Sequence, residues 1–145
     1  MSIIAAVSTA KRGRGRPRRE GADEEILAVA RTMLSEGGYG ELTVDGVAER
    51  AGVAKTTVYR RWPSRGALIA ALIPPPGAYA SAEAALHDVQ SLLAPLAGAS
   101  GDAEVLGVIR AILRSRRPAL VEVVGDETRA DELLGAVWMK LFVTS

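Results

Sequence analysis

The residues best suited to chemistry lie in one short stretch: Lys55, Thr56, Thr57, Tyr59, Arg60 and Arg61, with Val58 among them. Three of the six carry a fixed positive charge and one a phenol, and no acid interrupts them. Cations and hydroxyls of this kind meet phosphate oxygens and base edges, whereas covalent or acid–base catalysis needs a nucleophile, a base or a metal. A solvated basic helix in a helical bundle is the bland reading of the same residues. A second cluster precedes it. Lys11 to Arg19 holds six basic residues and no acid, and Arg14-Gly15-Arg16-Pro17 within it matches the core of the AT-hook minor-groove element. Glycine and proline keep such a strand thin, so that Arg14 and Arg16 reach a narrow A·T groove where the negative potential is deepest. The alternative for this arm is a basic tail that raises only sequence-blind affinity.

These side chains need rigid elements behind them. Thr43 as N-cap, with Val44, Val47, Ala48 and Ala51 as the inward face, predicts a short helix ending near Ala51. Gly52 makes a sharp turn, and a further helix spans about Lys55 to Trp62, with Val53 and Val58 turned inward. Ahead of them, Ile26, Leu27, Ala30, Met33 and Leu34 form one stripe of a helix from about Asp23 to Glu36, stopped by Gly37-Gly38. Behind them, Ser64 caps a fourth helix carrying Leu68, Ile69 and Leu72, which the Pro74-Pro75-Pro76-Gly77 run ends. Gly46 is expected to cost about 1 kcal/mol relative to alanine inside its helix.

The bulk numbers limit the alternatives. Of 145 residues, 48% are hydrophobic but only 4% aromatic, so the core rests on aliphatic side chains. Their helical spacing predicts an all-α chain. Without cysteine and with His87 as the one histidine, disulfides, thiolate metal sites and multi-histidine clusters are excluded. No cofactor is expected, and no nucleophile–base pair or phosphate-cradling loop suggests an enzyme. No apolar run reaches the ~18 residues of a membrane span, and an intracellular, cytoplasmic protein is the plain reading. Charge is unevenly spread. Residues 1–66 carry 12 Lys/Arg against 8 Asp/Glu, and residues 67–145 carry 6 against 9, so only the front suits a polyanion.

Residues 23–72 resemble the DNA-binding domain of the tetracycline-repressor (TetR) family of bacterial regulators. The resemblance rests on Ile26-Leu27-Ala28-Val29-Ala30, Gly37-Gly38-Tyr39, Leu42-Thr43-Val44, Val47-Ala48-Glu49-Arg50-Ala51-Gly52-Val53, Lys55 through Arg65, and Leu68-Ile69. It implies a three-helix helix-turn-helix domain over 22–76, a basic arm at 1–21 read as disordered, and a short helical dimerisation or ligand-type region at 77–145. It further implies a homodimeric regulator, usually a repressor, that binds a palindromic operator in double-stranded DNA and answers to a small-molecule effector. By the same resemblance Thr43 faces a phosphate, Lys55 and Tyr59 grip the backbone, Thr56, Thr57 and Arg60 approach base edges, and Arg61 and Arg65 touch flanking phosphates. Two departures stand out. Ala54 occupies a position where serine often caps the recognition helix, and Gly46 and Gly66 replace alanine and add flexibility.

The second half is expected to be helical. Leu86, Val89, Leu93 and Leu96 form one stripe, and Val105, Leu106, Ile109, Ile112 and Leu113 another. A last helix from about Arg129 carries Leu134, Val137, Trp138, Leu141 and Phe142, a stripe that must be subunit interface, core or ligand pocket. The 69 residues after Pro76 are fewer than the family usually has. A shortened regulator with weak non-specific DNA binding, or one acting through mixed dimers, is therefore the alternative.

Overall fold

A computed structural model describes residues 16–99 and 101–143, with side chains from Gly21 onward. The described residues form helices and no strands: α1 (Arg16–Gly37), α2 (Val44–Ala51), α3 (Lys55–Arg61), α4 (Arg65–Leu72), α5 (Ala82–Leu93), α6 (Ala103–Val124) and α7 (Glu127–Phe142). A 3-10 turn at Tyr39–Glu41 leads into α2, and another at Ala94–Ala99 follows α5.

The first helix starts at Arg16, seven residues before the expected Asp23. Proline in a first turn lacks only an amide that has no acceptor there, so Pro17 does not oppose the helix. Asp23, expected as the N-cap, instead lies within the helix. Residues 1–15, including Arg14 and the first half of the Arg-Gly-Arg-Pro element, fall outside the described residues. From Ile26 onward the stripe behaves as expected: Ile26 and Ala30 are fully buried, Leu34 nearly so, and Leu27 and Met33 pack beside them.

The next three helices follow their punctuation. Thr43 Oγ1 accepts the Gly46 amide at 2.9 Å, and Gly52 closes α2 in the left-handed conformation (φ 74°). Ser64 Oγ accepts the Ala67 amide at 3.1 Å and starts α4. Gly46 and Gly66 mark close approaches, which corrects the expectation that they merely loosen the domain. A Cβ on Gly46 would lie 2.8 Å from the capping Thr43 oxygen, and one on Gly66 would lie 2.5 Å from the Glu104 side chain.

One apolar core runs through both halves. Leu68, Ile69 and Leu72 of α4 are buried in it, and α4 packs on α1 on one side and α6 on the other. Ser81, Asp102 and Asp126 cap α5, α6 and α7 through their side chains. The last helix therefore begins at Glu127, two residues before the expected start. Of its apolar stripe, Leu134 and Val137 are core, while Trp138 and Phe142 stack at 4.6 Å and stay half-buried.

One charged side chain lies inside this core. Arg116 is 2% exposed and stands on the buried side of α6, in line with Val105, Ile109, Ile112 and Leu120. Its guanidinium donates to the Pro74 carbonyl (2.6 Å), Ser115 Oγ (3.0 Å) and Asp88 Oδ2 (3.4 Å). The Tyr79 hydroxyl donates to the same Asp88 oxygen at 2.5 Å. Burial and the Asp88 carboxylate together push this phenol above the ordinary tyrosine range. The triple-proline strap is thereby fastened to α5 and α6. Removing one partner of a buried charged network leaves polar groups without partners, which typically costs about 3–5 kcal/mol. Arg116→Ala should lower stability by that order in urea titration, and a midpoint within error of the parent would refute the role of this network.

Candidate nucleic-acid interface

Short helices carry the candidate side chains because their inner faces are small. Val47 and Ala48 of α2 and Val58 of α3 are buried against one another's helices, and Val53 and Ala51 line the turn. This packing leaves Lys55, Thr56, Tyr59, Arg60 and Arg61 exposed along the outer side of α3, with Thr57 half-buried. Ala54 provides no side-chain cap for α3, as its identity implies.

The sequence-derived residues divide into two groups. Among the described residues, the side chains of Thr56, Thr57 and Arg60 have no hydrogen-bond or ion-pair partner. The others are engaged. Asp45, near the N-terminus of α2, accepts a hydrogen bond from Tyr59 Oη at 3.0 Å and pairs with Lys55 Nζ at 3.4 Å. The hydrogen bond to that carboxylate holds the Tyr59 phenol above the ordinary tyrosine range. Arg61 pairs with Asp23 of α1 at 2.5 Å and lies 6.0 Å from the Trp62 ring. Thr43 is exposed, with its hydroxyl spent on the α2 cap.

Arg65 points elsewhere. Its Nη1 donates to the Tyr39 and Leu42 carbonyls, each at 3.3 Å, and its guanidinium lies 4.2 Å from the Tyr39 ring. It braces the turn that delivers the chain to Thr43. Arg14 lies outside the described residues, and Arg16 is the first residue of α1. Sequence reading missed Asp45 and Asp23 as partners. Its one available signal was that both are acids on helices neighbouring a cationic one.

Two acids at the head of α6 join this domain to the second half. Asp102 Oδ2 accepts the Tyr39 hydroxyl at 2.5 Å, and its other oxygen accepts the Glu104 and Val105 amides. Glu104 Oε2 accepts the Ser64 hydroxyl at 2.7 Å, at the start of α4.

Comparisons with known proteins agree with this geometry. Residues 26–72 match the model of the bacterial regulatory proteins of the tetR family. The similarity to that family lies in this part of the chain. The HTH-type transcriptional regulator YdeS of Bacillus subtilis is 48% identical over 56 residues, covering 39% of this chain and 28% of that protein. The HTH-type transcriptional regulator EthR of Mycolicibacterium smegmatis is 37% identical over 73 residues, 49% of this chain and 34% of EthR. The DNA-binding transcriptional repressor TetR of Mycobacteroides abscessus is 44% identical over 48 residues, 33% of this chain and 25% of that repressor. Each match spans only about a quarter to a third of the curated relative's length. No solved structure gives a significant match.

The Tyr39–Asp102 bond carries a pH signature. The Tyr39 hydroxyl, followed by the Val105 amide, holds the Asp102 carboxyl below its ordinary value of about 3.8, and the bond to Asp102 raises the Tyr39 phenol above 10.0. A depressed carboxyl contributes stability above its unfolded value that is lost as pH falls through the folded one. A raised phenol contributes stability below its unfolded value that is lost as pH rises through the folded one. Tyr39→Phe should therefore lower the melting temperature at neutral pH, with the deficit closing below about pH 4 and above about pH 10. A deficit of constant size across that range would mean that packing, and not this bond, is responsible.

Proposed function

We propose that the chain is a sequence-specific regulator of transcription that binds a palindromic operator in double-stranded DNA as a homodimer, with repression as its direction. The observation that carries this reading is the outer side of α3, where the side chains of Thr56, Thr57 and Arg60 have no hydrogen-bond or ion-pair partner among the described residues and stand among the phosphate-capable Lys55, Tyr59 and Arg61. A helix of seven residues is about 10 Å long and fits a major groove about 12 Å wide. In this role Thr56, Thr57 and Arg60 read base edges, Lys55, Tyr59 and Arg61 hold phosphates, and Thr43 meets a phosphate beside the α2 N-terminus. Arg65 acts mainly by bracing the Tyr39–Leu42 turn. Arg14 and Arg16 extend the contact into an adjacent minor groove, as homeodomain arms do. The half-buried Trp138 and Phe142, with exposed Met139 and Val143 nearby, support α7 as part of the subunit interface.

A small apolar effector has a place in this scheme. A groove of about 500 Å³ lies between the proline strap and α6, lined mainly by Ile73, Pro74, Pro75, Val108 and Ile112. Val108→Trp should fill it and abolish thermal stabilisation by small apolar compounds. Stabilisation that survives the substitution would remove the groove from the scheme.

Selection of bound sequences from random duplex DNA should return a two-fold symmetric site with half-sites about one helical turn apart. Sedimentation should give a dimer. Combined replacement of Lys55, Tyr59 and Arg60 by alanine should reduce affinity for the selected site by at least a hundredfold, since each base or phosphate contact contributes roughly 1–3 kcal/mol. Arg14 and Arg16 to alanine should weaken binding several-fold and flatten its salt dependence. A folded triple variant that bound as tightly as the parent would end the regulator reading. A monomer with only sequence-blind binding would favour the shortened, mixed-dimer alternative.

A further inference from the structure

The cations of the α3 face are not equally available. Lys55 and Tyr59 share the Asp45 carboxylate, at 3.4 and 3.0 Å, and Arg61 is held by Asp23 at 2.5 Å. Among the described residues Arg60 alone of the α3 cations has no acidic partner. The acids come from two other helices, Asp45 from α2 and Asp23 from α1, so two elements converge on one helix with the same result. Each carboxylate also sits where an oxyanion satisfies the donors around it, as a phosphate oxygen would. The engaged groups are the ones suited to phosphate, whereas the hydroxyls of Thr56 and Thr57 are left open. Charge counting agrees: residues 20–66 carry six Lys/Arg against eight Asp/Glu, so the domain without its arm is net negative.

We propose that Asp45 and Asp23 occupy the seats of two DNA phosphates in the free protein and so act as a brake on sequence-blind binding to duplex. This inference rests on the duplex-binding reading given above. Sequence-blind affinity comes almost wholly from cations that neutralise phosphates and release counterions. Covering Lys55 and Arg61 removes two of the few such cations on the face. The Lys55–Asp45 pair is exposed enough to be exchanged, with side chains 64% and 54% exposed, and Arg61 is 46% exposed although its partner Asp23 is only 19% exposed. Exposed pairs are weak, so a phosphate backbone held in register by base contacts displaces them. A duplex that offers no such register has to displace the same carboxylates with phosphate contacts alone.

The test uses the full chain and a random-sequence duplex of about 20 base pairs, titrated at roughly 50 and 200 mM salt. Asp45→Asn keeps an acceptor for Tyr59 and removes the charge, and Asp23→Asn does the same for Arg61. Each should tighten binding roughly fivefold at the lower salt and steepen the logarithmic salt slope by up to about 0.9, one phosphate contact. In a Lys55→Ala background the gain from Asp45→Asn should vanish, because the two residues act as one unit. Glu49→Gln, the same change of charge one turn further along α2, should give a smaller gain. The two acids lie on different helices, so if one variant fails to fold the other still decides. Random-duplex binding no tighter than the parent in the folded variants overturns the proposal. So does an equal gain from Glu49→Gln, or a gain that persists without Lys55. A parent chain that shows no salt-sensitive affinity for duplex removes the underlying regulator reading as well.

Discussion

Arg65 stands at the joint on which the placement of the helix-turn-helix depends. It begins α4, yet its guanidinium reaches back to the Tyr39 and Leu42 carbonyls and lies against the Tyr39 ring. Those carbonyls belong to the turn between α1 and α2, so the same group fixes where the chain enters Thr43 and hence where α2 begins. A planar fork of donors can satisfy two carbonyls and cover a ring face together, which a lysine ammonium on a flexible stem does not reproduce. Leu42, completely buried beside it, locks the turn from the apolar side. The pose of α3 follows, because α3 is attached to α2 through the left-handed Gly52 and the buried Val47–Val58 packing.

The same joint reaches the second half. The tyrosine that Arg65 covers donates its hydroxyl to Asp102, and two residues on Glu104 holds the hydroxyl that caps α4. Helix α6 is 22 residues, about 33 Å, and carries a grip at two levels: acids at its head on the DNA-binding domain, and the buried Arg116 on the strap carbonyl of Pro74. The strap is therefore fastened and not a slack tether. Helix α6 thus touches the start of α4 through Glu104 and the strap through Arg116.

How much of this was legible in the sequence depended on whether the information was local. The starts of α2 and α4 were readable because a Thr43 or Ser64 hydroxyl three residues before the amide it accepts from is a short-range signal, and Gly52 and the proline run act as stops. The start of α1 was misread because Arg-Gly-Arg-Pro looks extended, although proline costs nothing in a first turn. Arg116 left a signal that went unread: it falls at the inward spacing of α6, where a charge implies buried partners. Asp102 and Glu104 left none, and Asp45 and Asp23 left only their place on helices next to a cationic one, because tertiary packing alone brings these acids to their partners.

The electrostatic layout changes how the front half should be understood. A net charge of +4 over residues 1–66 suggests a basic DNA-binding domain, but the six basic residues of Lys11 to Arg19 supply more than the whole excess. Without them the helices are net negative, and several of their cations are already paired, Arg50 with Glu36 among them. Concentrated positive charge and open hydroxyl groups thus lie on different parts of the chain. Clustered basic residues of that kind attract a polyanion at long range, and salt screens the attraction. The helices contribute a rigid surface whose open groups are hydroxyls and one arginine, which gain little from a phosphate backbone in general and most from a base edge in the right place. On the proposed duplex-binding reading, a domain built this way binds weakly where it does not fit, because its charge does not compensate for the missing contacts.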